Sequence, residues 1–272
     1  MAEDSLDSAQ QGMAVVGEII KSAGNSPEAK EAASNLGKTA VILTQTINNA
    51  LLPLAAINYS FDKAKVYFAE KFEQDLSKKA DKIPEEDIIE PKASIAGPAL
   101  QGLAFTHEEE NLKDMYLSLL ATSMNNNEAD DAHPAFVEII KQLTSEEAIL
   151  LKVILQSRNP IAISEVRLQG AGKREYKALT KHLINFMNSE TGVAIENSRY
   201  PSMIDNWIRL GLVEVDYGTT LQATGMYDWN TLRPEVERLR IKYKTDKNNI
   251  IFQNGIIEST SFGKQFAKVV DI

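Results

Sequence analysis

The sequence predicts a mainly α protein: an N-terminal helical layer followed by a winged-helix-like α+β domain that carries an insertion. Three observations lead there. Apolar residues recur at three- and four-residue steps through the first half, with no alternating strand pattern. Beyond residue 143 the pattern reads as three helices, a strand, a returning strand and a closing helix, which is the order of a winged helix. Charge divides at the same place. Residues 1–144 hold 12 basic and 23 acidic side chains, a balance of -11, whereas 145–272 hold 17 and 15, a balance of +2.

Composition bounds the chemistry. The chain has 272 residues, 43% of them hydrophobic and 25% charged, enough for one large or two modest domains with a proper core. It has no cysteine, which excludes disulfides, thiolate catalysis and cysteine-bound metal, and suits a cytoplasmic setting. The acidic, polar start MAEDSLDSAQQG is unlike a secretory signal. The most apolar segment, residues 40–56, is interrupted by Gln45, Asn48, Asn49 and Pro53 and is too short to span a bilayer.

The expected organisation is a loosely ordered or helical segment over 1–32, an all-helical domain over 33–143 and the winged-helix-like domain over 144–272. Pro53 ends or kinks a helix over 33–56. Phe61, Ala64, Phe68, Phe72 and Leu76 share one helix face. Pro84 and Pro91 bracket an acidic loop, and helix resumes over 95–105. The clearest helix runs over 108–124, with Leu112, Met115, Leu119 and Leu120 inward and acidic residues in its first turn. After a polar loop, Phe136, Ile139, Ile140 and Leu143 mark a short helix.

In the second domain, Thr144 and Glu147 have capping-box spacing before an apolar run. A short strand is expected over 161–166, a helix over 173–187 and another over 202–210, ended by Gly211. Residues 212–216 alternate as a strand, and a strand pair or hairpin is expected around Asn254 and Gly255. The segment 217–249 is an insertion with its own helix near 234–244. Phe262, Phe266 and Val269 face inward on the last helix.

The middle of the chain carries Ile88, Pro91, Ile95, Gly97, Pro98, Ala99 and Leu100, then Leu112, Met115, Leu119, Leu120, Ala121, Ser123 and Met124. These are followed by HPAFVEIIKQLTSEEAILLK, which contains His133, Pro134 and Phe136. On these residues, and on a closing strand after Leu-Gly-Leu with a Thr-x-Phe-Gly helix at Thr260 and Phe262, the chain resembles the Abi-alpha (abortive infection alpha) family over about residues 40–270. The resemblance implies a bacterial role in defence against bacteriophage, in which the infected cell stops growing or dies. It implies no agreed active site, so no catalytic residue transfers. Pro91, Gly97, Pro98, His133, Pro134 and Phe136 are the family-motif residues.

Direct search for chemistry yields little. Ser34–Thr39 ends like a phosphate loop, but Ala32 stands where its first glycine belongs. His107 with Glu108, Glu109 and Glu110 lacks the second histidine of a zinc helix and reads as a solvated helix start. His133 before Pro134 reads as a helix-opening cap. His182 reads as exposed on a basic helix. No catalytic residue, metal ligand or cofactor is assigned.

The strongest candidate surface is basic. Arg174, Lys177 and Lys181, with Lys173 beside them, form one stripe of the helix expected over 173–187, extended by Arg209, Lys264 and Lys268. Such a stripe contacts nucleic-acid phosphates or is simply solvated. The expected function is a non-enzymatic phage-defence protein acting through protein contacts, its partner a cellular protein or phage component. One alternative is a winged-helix DNA-binding regulator, with DNA reached through the C-terminal half. Another is a membrane-active toxic effector acting through residues 40–56. Resting membrane attachment is not expected of so acidic a half.

Overall fold

Helical periodicity in the first half becomes helices wherever the structure describes it. The computed structural model describes residues 60–272 apart from 173, 189, 244, 246 and 247. The expected helix over 33–56 and the segment 40–56 lie outside the described residues. The chain divides into two units, a helical one (60–149 with 266–272) and one built on a sheet (150–265).

In the helical unit, the aromatic face breaks into α1 (Ser60–Glu70) and α2 (Phe72–Ala80) at Lys71. Tyr67, Phe68 and Phe72 pack edge to face with centroids 5.1–6.3 Å apart, and Leu76 is fully buried. The side chain of Phe61 lies outside the described residues. The acidic loop between Pro84 and Pro91 is pinned at Met124 and Asn126, Ile89 N–H donating to Met124 O at 2.9 Å and Asn126 N–H to Asp87 O at 2.8 Å.

Helices α3 (Ala93–Thr106) and α4 (Glu110–Met124) supply the largest share of this core. They meet closely at Gly102, where an added Cβ would lie 2.4 Å from the Tyr116 ring. Tyr116 is fully buried, and its hydroxyl has no hydrogen-bond partner among the described residues. Helix α5 (Ala135–Ile140) brings Phe136 onto Phe266, with centroids 5.4 Å apart. Thr144 and Glu147 form the expected reciprocal cap of α6 (Ser145–Leu155): Thr144 N–H donates to the Glu147 carboxylate at 2.9 Å, and Glu147 N–H to Thr144 Oγ1 at 3.2 Å.

The second unit corrects the predicted class. It is not a winged helix, and the protein is α+β rather than mainly α. Four strands, β1 (Ile161–Gly170), β2 (Tyr176–Ile184), β3 (Val213–Asp216) and β4 (Asn248–Ser259), form one antiparallel sheet in the order β2-β1-β4-β3. The expected helix over 173–187 is β2. Its three- and four-residue apolar spacing fits a helix, but β1 offers it a backbone ladder, shifted at two places, from Ile163 with Ile184 to Gln169 with Tyr176. The expected hairpin at Asn254 and Gly255 is also replaced: both lie inside the single strand β4, which pairs with β1 from Ile161 with Ile257 to Gly170 with Asn248.

Other elements match expectation. Helix α7 (Tyr200–Arg209) ends at Gly211, whose φ of 73° lies in the left-handed region glycine tolerates. Helix α8 (Pro234–Tyr243) occupies the insertion, and α9 (Ser261–Val269) closes the chain. The Thr-x-Phe-Gly motif fastens the start of α9 to the start of β3. Thr260 Oγ1 donates to Gly211 O at 2.6 Å and accepts from Gly263 N–H at 2.8 Å, and a Cβ on Gly263 would strike Leu212 O at 2.0 Å.

Gly102→Ala is expected to overpack the α3–α4 contact and destabilise the helical unit by about 1–3 kcal/mol. Tyr116→Phe removes a buried hydroxyl that has no partner among the described residues and is expected to leave stability unchanged or raised. Urea unfolding followed by far-ultraviolet circular dichroism measures both.

Candidate functional site

The site begins with two irregularities in β2. From Ser164 to Val166 the partner of β1 moves from Leu183 to Thr180, so Lys181 and His182 together oppose Glu165. A second shift, between Val166 and Arg167, leaves Leu179 as an extra residue. These are β-bulges, which bend an edge strand and re-aim its side chains. In the first bulge His182 has φ 52°, a conformation that is uncommon outside glycine and costs about 1 kcal/mol or more.

Three hydrogen bonds hold it there. Asp205, on α7, is an acceptor only, so His182 Nε2–H donates to its Oδ1 at 3.1 Å. Nδ1 therefore accepts a hydrogen bond from the Tyr217 hydroxyl at 3.1 Å. The same hydroxyl accepts His182 backbone N–H at 3.1 Å. Tyr217 follows β3 and lies across β4 at Gly255, where a Cβ would sit 2.7 Å from its ring and 2.6 Å from Asp216 O. Gly255 is glycine because another stretch of chain lies on it.

Burial lowers the His182 pKa below its usual value, against the pull of Asp205, and burial pushes Tyr217 up to about 12. His182 is thus neutral in the folded protein at neutral pH. Around it, Arg167 is held between Glu165 at 2.7 Å and Gln253 at 2.9 Å, and its guanidinium lies 3.9 Å from the centroid of the Tyr176 ring. Gln253 in turn donates to Tyr217 O at 2.9 Å.

Beside this network lies a groove of about 400 Å³. Leu179, Thr180, Lys181, His182 and Leu183 form one wall. Both bulges fall within these five residues, so the alternation of side chains between the two faces is broken there and consecutive residues can face one cavity. Strand β2 is an outer strand of the sheet. The far wall includes Asn197, Ser198, Tyr200 and Pro201, with the Glu196–Arg238 ion pair at the rim. Arg233 fixes that wall: fully buried, it donates to Ile195 O at 2.9 Å and Phe186 O at 3.3 Å and pairs with Glu235. Exposed Met187, Val193 and Ile195 follow on the short hairpin after β2.

The predicted basic stripe is rearranged. Lys177 and Lys181 stand on the edge strand opposite Leu168 and Glu165, about 10 Å apart by the rise per residue of β1, rather than one helical turn apart. Arg174 lies in the β1–β2 turn, and Lys173 lies outside the described residues. Arg209 sits at the end of α7, bonded to Asn206 at 2.6 Å. Lys264 is on α9 in this unit, whereas Lys268 belongs to the helical unit and pairs with Asp131 at 2.6 Å.

The family-motif residues have local structural roles. Pro91 is buried ahead of α3. Gly97 precedes Pro98 inside that helix, and a glycine avoids the Cβ clash that proline imposes on the residue before it. His133 Nδ1 accepts Ala135 N–H at 3.1 Å, opening α5 with Pro134, and Phe136 fills the core. His107 is not at a helix start: it follows α3, stacks on Tyr67 at 5.2 Å and bonds Ala104 O at 3.1 Å. Among the described residues, no cluster of three histidine or acidic side chains could hold a metal ion.

The sequence singles out neither Asp205 nor Tyr217. His182, expected exposed on a helix, is 6% exposed in a bulged strand. Gly170 and Gly172 between two apolar runs were the available signal for a hairpin. The histidine's partners, 23 and 35 residues away, had none.

Compared with known proteins, residues 64–270 match the family model described as abortive infection alpha. The chain belongs to this family. No curated protein and no solved structure matches it. Among the described residues, no helix of this abortive infection alpha protein is long and apolar enough to cross a membrane.

The His182 linkage has a defined sign. The unfolded chain takes up a proton near the usual imidazole value of 6.5, and the folded chain does so only at lower pH. The stabilisation is therefore complete above about 6.5 and is lost as pH falls below it. In His182→Asn, which tolerates the left-handed backbone but does not titrate, melting temperature is expected to fall less steeply than in the parent between neutral pH and pH 5.

Proposed function

We propose that this protein acts in abortive infection by binding a protein partner, and that the groove along β2 is the contact surface. The defence role rests on family membership. The contact reading rests chiefly on one observation, a preformed groove lined by five consecutive residues of an outer strand. Outer strands carry backbone donors and acceptors that another chain can complete. Exposed Met187, Val193 and Ile195 extend the surface with apolar area.

A groove-filling change tests this without altering charge. Ser198 is exposed on the far wall, and Ser198→Trp places bulk in the groove. Cells expressing the parent chain are expected to resist phage, and cells expressing an equally abundant Ser198→Trp protein with parental melting temperature are expected to lose that resistance. Full resistance in the variant overturns the contact surface. Membrane potential recorded in the same infections, with depolarisation ahead of lysis, would favour a membrane effector instead.

A further inference from the structure

We infer that the partner supplies an extended, acidic segment, which adds to the sheet as a strand beside β2. The inference rests on the contact reading above and names the chemistry of its occupant. Residues 179–183 of the outer strand β2 line the groove, and an outer strand keeps backbone groups that its one neighbour does not use, the His182 N–H excepted, which Tyr217 takes. The occupant is most economically another strand, held by main-chain hydrogen bonds and selected by alternate side chains.

Charge selects the kind of strand. Arg174, Lys177 and Lys181 flank this edge, and none forms an ion pair among the described residues. Elsewhere in the same unit Arg167, Arg233, Arg238 and Arg240 each have a carboxylate partner. Strand β2, YKALTKHLI, contains no acidic residue. Lysines on an outer strand repel a second copy of that strand, which argues against pairing between like chains. They attract a strand with carboxylates at matching positions.

A nucleic-acid strand is the other anionic occupant. Glu196 and Glu235 line the same groove and would face its phosphates. A peptide with separated carboxylates can place apolar side chains there instead, against Leu179, Leu183 and Pro201.

The test uses the full chain and three fluorescent probes: a decapeptide alternating glutamate and valine, its lysine–valine counterpart, and an oligothymidylate. Anisotropy is read for the parent and for Lys177→Glu/Lys181→Glu with unchanged melting temperature. The acidic peptide is expected to bind the parent and to lose about tenfold or more in affinity on charge reversal. The basic peptide is expected to show the opposite preference. Hydrogen exchange at residues 176–184 is expected to slow when the acidic peptide is bound. Absence of acidic-peptide binding, binding indifferent to the reversal, or binding of the oligonucleotide alone overturns the inference. If the acidic peptide fails while Ser198→Trp abolishes phage resistance, the acidic strand is wrong and the contact surface stands.

Discussion

The pairing of β1 with β4 is the constraint on which the sheet unit depends. Ten consecutive residue pairs join segments nearly ninety positions apart, and β1 is also paired along its other edge by β2. Closing so long a loop is entropically costly and is recovered only when the whole ladder forms. Once it has formed, β2 and β3 are fixed as the outer strands, and α7 can present Asp205 to β2. The groove is a consequence of that order.

Polar groups refine what the ladder sets. On one side, Ser164, Asn254 and Asn230 bond to one another at 2.9–3.0 Å and seat the insertion on the strands. On the other, Asp205, His182 and Tyr217 join a helix, a bulged edge strand and the chain leaving β3. Interrupted backbone pairing at the bulge and a left-handed histidine are destabilising by themselves, and three hydrogen bonds to one residue offset them. This gives the wall of the groove a defined shape, because both ring nitrogens and the backbone N–H of His182 are committed.

The helices were largely legible because their signals are local. The Thr144–Glu147 cap, the Gly211 stop, the insertion helix and the Thr-x-Phe-Gly start all act within a few residues. The site was legible only in part. Lys177 and Lys181 stood out by charge, but their helical stripe does not exist in the folded chain. His182 looked like one more polar residue among lysines, since a bulge is defined by the register of a neighbouring strand.

By itself the sequence determined the helical first half, its family motifs, the charge asymmetry between the halves and the ends of most helices. Each follows from spacing, capping or composition. Only the tertiary structure decided that residues 176–184 are a strand, that Asn254 and Gly255 lie within one, and that His182, Asp205 and Tyr217 meet. The physical reason is that β-structure is completed by partners distant in sequence. A segment whose own pattern fits a helix becomes a strand when a long, β-branched ladder such as β1 with β4 leaves an edge for it to satisfy.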